Sequence, residues 1–378
     1  MSWSLDLFSK SIDALPLLDS TIGDRRRSCI ETAAALDVTL HVETGVVASN
    51  ALITDLAAAS RQAGHTVQAH VEVGPEHREF GTNPFRPRCS AFAAADPLPG
   101  CTHIDHALTA TPLGEQAQAP EPTVLPTLRE GASRPQPGRM ARPIGNPVGD
   151  RFIWGVGAWS DLLVANLLAL QAKTATENRI DPTATVHPTA VVENSRVRRG
   201  CTIGPYAVVR NSSLGEDVEV HEHSSISGAH IGDRSVTQTG SLVHGSVIGP
   251  DTVVSFHVAI RGSMLFGNST ISAPVVARSV IGDGVFLARD VAIGGTSLND
   301  RPISIRRGGR WANTGIRLLG CVVGSGARIG NGLQLPAGFV VPAGAYIASR
   351  PARAVPEDIR PCTPHLADAT GYRSLSLT

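Results

Sequence analysis

Aromatic residues make up 4% of the 378 residues, so a large core built on stacked rings is excluded. Lysine is nearly absent: Lys10 and Lys173 are the two examples, and the remaining positive charge is arginine. Formal net charge is zero, which argues against nucleic-acid or membrane-surface binding driven by charge, and neither class of partner is expected. No run of eighteen apolar residues occurs and no signal peptide is recognised, so a cytoplasmic protein is expected. The six cysteines, Cys29, Cys89, Cys101, Cys201, Cys321 and Cys362, form no CxxC pair and read as reduced, structural thiols.

What the chain does have is aliphatic residues in a strict rhythm. From Ile180 to Ile293 a seventeen-residue repeat sets three inward columns, separated by six, six and five residues. The first reads Ile180, Val197, Leu214, Ile231, Ile248, Leu265. The second is Val186, Ile203, Val220, Thr237, Val254, Ile271, and the third is Val192, Val209, Ile226, Val243, Ile260, Ala277. A one-residue slip then continues the pattern through Ile281, Leu287 and Ile293. A spacing near six is too long for a helical stripe and does not alternate as one long strand, so each step is a short strand plus a corner. Three steps per turn predict a triangular parallel β-helix whose coils bury their apolar edges on one another, with roughly eight coils spanning about 40 Å. Small residues four places after the anchors, such as Ala184, Cys201, Ser235 and Ser269, let the corners close.

Residues 1–110 alternate helical and strand-like stretches and predict a small α/β domain: helix over 28–36, strand over 38–42, helix over 51–63 ending at Gly64, strand over 67–73. Prolines and glycines cluster over 111–150, which reads as a linker or loop. Within the connecting stretch 151–178, Trp159 to Ala172 predicts an amphipathic helix with Ser160 as N-cap, placed to cover the open end of the prism. The β-helix occupies 179–348 and is broken once, over 294–315, by the Arg-rich segment GGTSLNDRPISIRRGGRWANTG. Its rhythm resumes at Val323, Ile329, Leu335, Val341 and Ile347, and the proline-rich tail 349–378 reads as poorly ordered.

At these residues the chain resembles the left-handed β-helix superfamily of hexapeptide-repeat transferases. More narrowly, the order of parts resembles the sugar-1-phosphate nucleotidyltransferases that carry a C-terminal acyltransferase-type β-helix. Those parts are an α/β region, WSDLLVANLLAL, coils opening IDPTATVHPTAVV, an excursion with TSLNDRP, then RWANTGIRLLGCVVGSGARIGNG. The resemblance implies a homotrimer and a coenzyme A thioester as co-substrate; no metal is expected, because no convincing metal-binding carboxylate pair appears in the sequence. The front domain departs from the family: LPLLDSTIGDRRRSCIE holds Gly23 and Arg25 to Arg27 but neither a glycine-rich phosphate loop nor a lysine, so that domain is degenerate.

The same resemblance implies a general-base histidine in the groove between two prisms, a task suited to a pKa near neutral. His257, in SFHVAIRGS, is the candidate, three residues past anchor Val254 and so outward-facing. The register aligns it with His223 two coils away, about 9.6 Å at strand spacing, across Gly240. In the excursion, which follows His257 by one coil more than the resemblance implies, Asn299 is placed to hold an acceptor group. Arg306, Arg307, Arg310 and Arg317 suit the phosphates of coenzyme A or a nucleotide, and Trp311 suits an adenine. The bland reading is a solvated histidine, like His187, His221, His230 and His244, beside a charged loop.

The expected activity is acyl transfer from coenzyme A to an amine or hydroxyl of a small sugar- or nucleotide-like acceptor. Two alternatives stand beside it: a non-catalytic, regulatory trimer descended from a bifunctional enzyme, and residual nucleotidyl transfer. A metal site of the γ-carbonic-anhydrase kind lacks its pair of histidines five residues apart, since Gly262 follows His257 and Gly249 follows His244 at that distance.

Overall fold

The computed structural model describes residues 7–18, 20–42, 46–64, 66–70, 108–112, 121–124, 153–156, 158–172, 177–296, 301, 303–307, 310–314, 317–348, 365–368 and 371–374. Three faces of a parallel β-helix run through it. The first face holds nine strands from Arg179–Ile180 to Val340–Val341, and the second holds nine from Thr185–Val186 to Tyr346–Ile347. The third holds six strands from Val191–Glu193 to Val275–Ala277, followed by the pair Ala292–Ile293 and Gln334–Leu335. Strands pair in parallel with partners seventeen residues apart, as in Val197 opposite Leu214 and Val220 opposite Thr237. The fold is the triangular parallel β-helix of the hexapeptide kind that the repeat predicts.

The inward columns form one continuous core in which Leu214, Ile231, Ile260, Ile271 and Ile281 are fully buried. Thr237, the polar member, is buried too, and its hydroxyl donates to the Glu219 carbonyl at 3.4 Å. The slip falls one strand earlier than expected, between Ile271 and Val276. Ile260 pairs with Val276, not Ala277, so Val276 is the buried member of the third column and Ala277 stands opposite Arg261. Both positions are apolar, so hydrophobicity does not choose between them. Serines stitch one corner together: the hydroxyls of Ser195, Ser212, Ser246, Ser263 and Ser279 accept the backbone N–H of the next coil at 3.1–3.2 Å. A buried N–H at a bend, where no strand ladder continues, thus keeps a partner.

Helix α1 spans Ile22–Ala34, beginning six residues before the expected helix because Thr21 and Asp24 form a reciprocal capping box. Helix α2 spans Asn50–Ala63, with Ser49 as N-cap and Gly64 closing it in the left-handed region at φ 73°. Both pack on a four-stranded mixed sheet ordered Val38–Val42, Leu108–Pro112, Val67–His70, Glu121–Val124, the last two strands parallel. The strand Glu121–Val124 lies inside the proline-rich stretch, and in the tail His365–Asp368 pairs with Gly371–Ser374. The segment LPLLDSTIGDRRRSCIE makes a short antiparallel pair and then enters α1. Arg26 pairs with Asp13 at 3.0 Å and Arg27 with Asp24, so two of its arginines turn to acids of the same domain.

Helix α3 spans Trp159–Ala172, starting one residue before Ser160, which therefore lies in its first turn and is not the N-cap. Nor does the helix cover the end of the prism. It lies on the first face, packed with Val247, Met264, Val280 and Val322, and residues 158–169 are buried on every side, so it is not amphipathic. The outward row of that face explains the placement: Arg179, Arg196, Ser213 and His230 give way to Val247, Met264, Val280, Val322 and Val340. The apolar half takes the helix. Asn166, fully buried, accepts from the Leu18 N–H at 3.0 Å and donates to the Pro16 carbonyl at 3.2 Å. Phe8 meets Phe266 at 4.5 Å between ring centroids, and the Leu7 carbonyl accepts from the Ser325 N–H at 2.8 Å. At the open end it is Asn178 that seals the first coil, bonding the Val192 carbonyl and the Ser195 N–H.

Candidate functional site

The corner between the second and third faces carries His223 and His257. Its column runs Thr189, Tyr206, His223, Gly240, His257, one residue per coil. Tyr206, His223 and His257 adopt φ of 58°, 56° and 60°, a left-handed bend that each side chain tolerates only because the coils above and below fix it. All three are exposed. The Tyr206 and His223 rings stack at 5.2 Å and 7°. Gly240 is the notch that the register predicts, and the His257 imidazole occupies it: a Cβ at Gly240 would lie 2.4 Å from Nδ1 and 2.7 Å from Cε1. His257 therefore leans down the edge toward His223.

One position back in the same corner, the Thr239 hydroxyl donates to Glu222 Oε1 at 2.7 Å. That bond, with backbone help and the nearby His221 and His223, holds the Glu222 carboxyl below the usual range. Glu222 and Thr239 thus flank His223 and Gly240 as a fixed anionic pair. Sequence reasoning that follows the histidines passes over Tyr206, which shares their column, and over Glu222 and Thr239, which share the column one position back, although the seventeen-residue spacing alone finds all three. His187 and His221 are occupied locally, by Thr189 at 2.9 Å and Glu219 at 3.4 Å.

The excursion forms a hairpin in which Ser304–Arg307 pairs with Arg310–Asn313. Ile303 and Ile305 are buried against the prism, meeting the backbone at Gly338 on the corner between the third and first faces. Arg306 stands directly opposite Trp311, which is 72% exposed, and both point away from that anchor. Arg317 is exposed as well, in the segment that returns to the coil. The side chains of Arg307 and Arg310 lie outside the described residues, as does Asn299. Within one chain the structure does not bring the hairpin to His257. They occupy different corners, and Gly338 is three coils beyond His257, about 14 Å along the axis.

Among the described residues no group of three or more His, Cys, Asp or Glu is placed to share a metal ion, and no helix is long and apolar enough to cross a membrane.

Fold and corner geometry together define a hexapeptide-repeat, triangular parallel β-helix protein. Residues 174–281 match a family described as the GMPPB C-terminal domain, which covers the coils from the first through Ile281. No curated protein matches. Among solved structures, the chain is similar to a mutant GDP-perosamine N-acetyl transferase from Caulobacter crescentus in complex with CoA and GDP-perosamine. The identity is 19% over 32% of this chain and 53% of that one, with a TM-score of 0.22. The acetyltransferase domain of PglB from Neisseria gonorrhoeae matches at 17% identity, covering 32% of this chain and 53% of that one, with a TM-score of 0.19. A UDP-N-acetylglucosamine acyltransferase matches at 17% identity over 41% and 67% of the two chains, TM-score 0.19. The chain thus spans about half the length of the first two of these structures.

Proposed function

We propose that this chain is a homotrimeric acyltransferase that moves an acyl group from a coenzyme A thioester to an amine or hydroxyl of a small sugar- or nucleotide-like acceptor. The observation that carries the reading is the His257 imidazole, exposed on a rigid corner over Gly240 and beside an apolar surface. That surface is the outward row of the third face, Val191, Val208, Ser225, Leu242, Ala259 and Val275, the last 47% exposed. An outward apolar row on a regular prism is a surface that a second copy covers. In a cyclic trimer each contact is heterologous, so the leading edge of one prism meets the trailing edge of the next. The leading edge of the third face carries His223 and His257, and the trailing edge carries the hairpin with Arg306 and Trp311. Residues that one chain keeps apart would then line one groove.

In that groove Arg306, with Arg307, Arg310 and Arg317, binds coenzyme A phosphates, Trp311 stacks on the adenine, and Asn299 holds the acceptor. His257 takes the proton of the acceptor amine or hydroxyl as its N or O attacks the thioester carbonyl. The C–S bond breaks, the acyl group stays on the acceptor, and the protonated imidazole returns the proton to the departing thiolate. Holding both substrates against a fixed corner converts a bimolecular step into a nearly unimolecular one.

The test is turnover of an acyl-coenzyme A panel with amino- and hydroxy-sugar nucleotides, wild type against His257→Ala. Loss of two or more orders of magnitude in kcat with an unchanged sedimentation coefficient supports the assignment. Unchanged turnover in the variant removes His257 from the chemistry. Saturable thioester binding without turnover by the wild type moves the chain to the non-catalytic trimer.

A further inference from the structure

The first face has a charged half that helix α3 does not cover, and it holds the cavity of the prism's first coils. About 470 Å³ in volume, it is lined by Arg179, Asp181, Arg196, Arg198, Arg199 and Glu216, with the flanking Ile180 and Val197. Four guanidinium groups in one cleft are unusual in a chain whose formal net charge is zero. The two carboxylates do not balance them evenly. Glu216 is taken by Arg199, at 2.8 Å from Nε and 2.7 Å from a terminal nitrogen. Asp181 is turned into its own corner, accepting from the Thr183 N–H at 2.9 Å and hydroxyl at 2.7 Å.

That leaves Arg179 and Arg196. They are directly opposite in adjacent parallel strands, both exposed, and among the described residues neither makes an ion pair. Like charges facing each other one strand spacing apart are destabilising. The sequence thus holds a costly pair at the mouth of a cavity. An anion between them would reverse the sign of the interaction, because each guanidinium offers a planar fork to phosphate oxygens.

We infer that this cleft binds a diphosphate group, with Arg179 and Arg196 each engaging one phosphoryl unit and Arg198 at the side. Two stacked forks suit two linked phosphoryl groups better than one compact ion. The site lies on the first face at the second coil, whereas His257 is in the fifth coil on the edge between the other two faces, so it is distinct from the proposed acyl-transfer groove and does not rest on that reading.

The experiment is calorimetric titration of the full chain with inorganic pyrophosphate, ADP and adenosine, in wild type, Arg196→Gln, Arg179→Gln and His257→Ala. Saturable binding of pyrophosphate and ADP but not adenosine is expected, at least tenfold weaker in each Arg variant, unchanged in His257→Ala, and weakening as potassium chloride rises. Equal affinities for the two identify free diphosphate as the ligand. ADP binding much the tighter identifies a nucleoside diphosphate. The ligand-free variants give a second readout: Arg196→Gln raises the melting temperature by relieving the repulsion, where a structural arginine would lower it. Absence of saturable binding by either diphosphate, undiminished binding in both Arg variants, or a lowered melting temperature in ligand-free Arg196→Gln overturns the inference.

Discussion

Replacing Gly240 by alanine separates two costs that the structure places at one residue. Gly240 has φ 69°, and an L-residue in the left-handed region costs roughly 1–2 kcal/mol. The new Cβ would also sit 2.4 Å from His257 Nδ1, so the imidazole must swing away. An off-rotamer side chain costs about 0.5–1.5 kcal/mol. Gly228 supplies the control: its φ is 56°, and a Cβ there meets nothing within 4 Å. Gly228→Ala therefore carries the backbone cost alone, and Gly240→Ala is expected to exceed it by roughly 0.5–1.5 kcal/mol. Urea denaturation followed by circular dichroism reads the difference, provided the two variants share a slope. A third comparison isolates the cause. In a His257→Ala background the excess should vanish, because the ring that blocks the Cβ is gone. If the excess persists without His257, or if the two glycine variants cost the same, the imidazole does not lie over Gly240 and its lean toward His223 is wrong.

Asn166→Ala should destabilise the chain by about 1–3 kcal/mol, since it strands the buried Leu18 N–H that Asn166 now satisfies, and the same urea curves would show it. Asp251 is held low chiefly by the hydrogen bond from Arg234, Asp181 by the Thr183 N–H, and Glu222 by the Thr239 hydroxyl. Each has a folded pKa below its unfolded value, so the stability it adds is complete above the ordinary carboxylate values of 3.8 and 4.5 and is lost as pH falls through and below them. Melting temperatures are expected to be flat from pH 7 to about 5 and to drop below about 4. Burial pushes the Cys29 thiol up to about 11 and the Cys321 thiol up to about 12. Neither should react with a disulfide reagent at pH 8 until denaturant is added, which mass spectrometry after labelling would establish.

The prism was legible because its signal is repeated and local. Each of Val197, Leu214 and Ile231 predicts the next, and the same arithmetic put His257 over Gly240 and in line with His223. It failed at Val276 because Ala277 is also apolar, and only the strand pairing separates the two. The docking of α3 was missed for a different reason. Its sequence is apolar on every side and so names no face to bury, and the surface that receives it is a row of outward residues, Val247, Met264 and Val280, visible only once inward and outward have been assigned. Ile303 and Ile305 alternate as a half-buried strand should, but two apolar positions among arginines are too short a signal to stand out from a charged loop. The excursion's arginines were recognised by residue type, yet no pattern in the sequence says which corner the hairpin folds onto.

The first face is stapled over its later coils by α3, by Phe8 against Phe266 and by Leu7 against Ser325, while among the described residues nothing packs on its first coils and Ile180 is 41% exposed. A solenoid coil is stabilised by its neighbours alone, so an uneven staple makes an uneven molecule. Opening should begin as fraying at Ile180 and travel coil by coil toward Val247, where it meets a block that must come apart all at once with the front domain. Amide exchange would record this as a gradient of protection that rises along the axis and then becomes flat. The protein would behave as a stiff handle with one ravelling end, and the unstapled coils that line the arginine cleft are the ones that a bound anion would have most to steady.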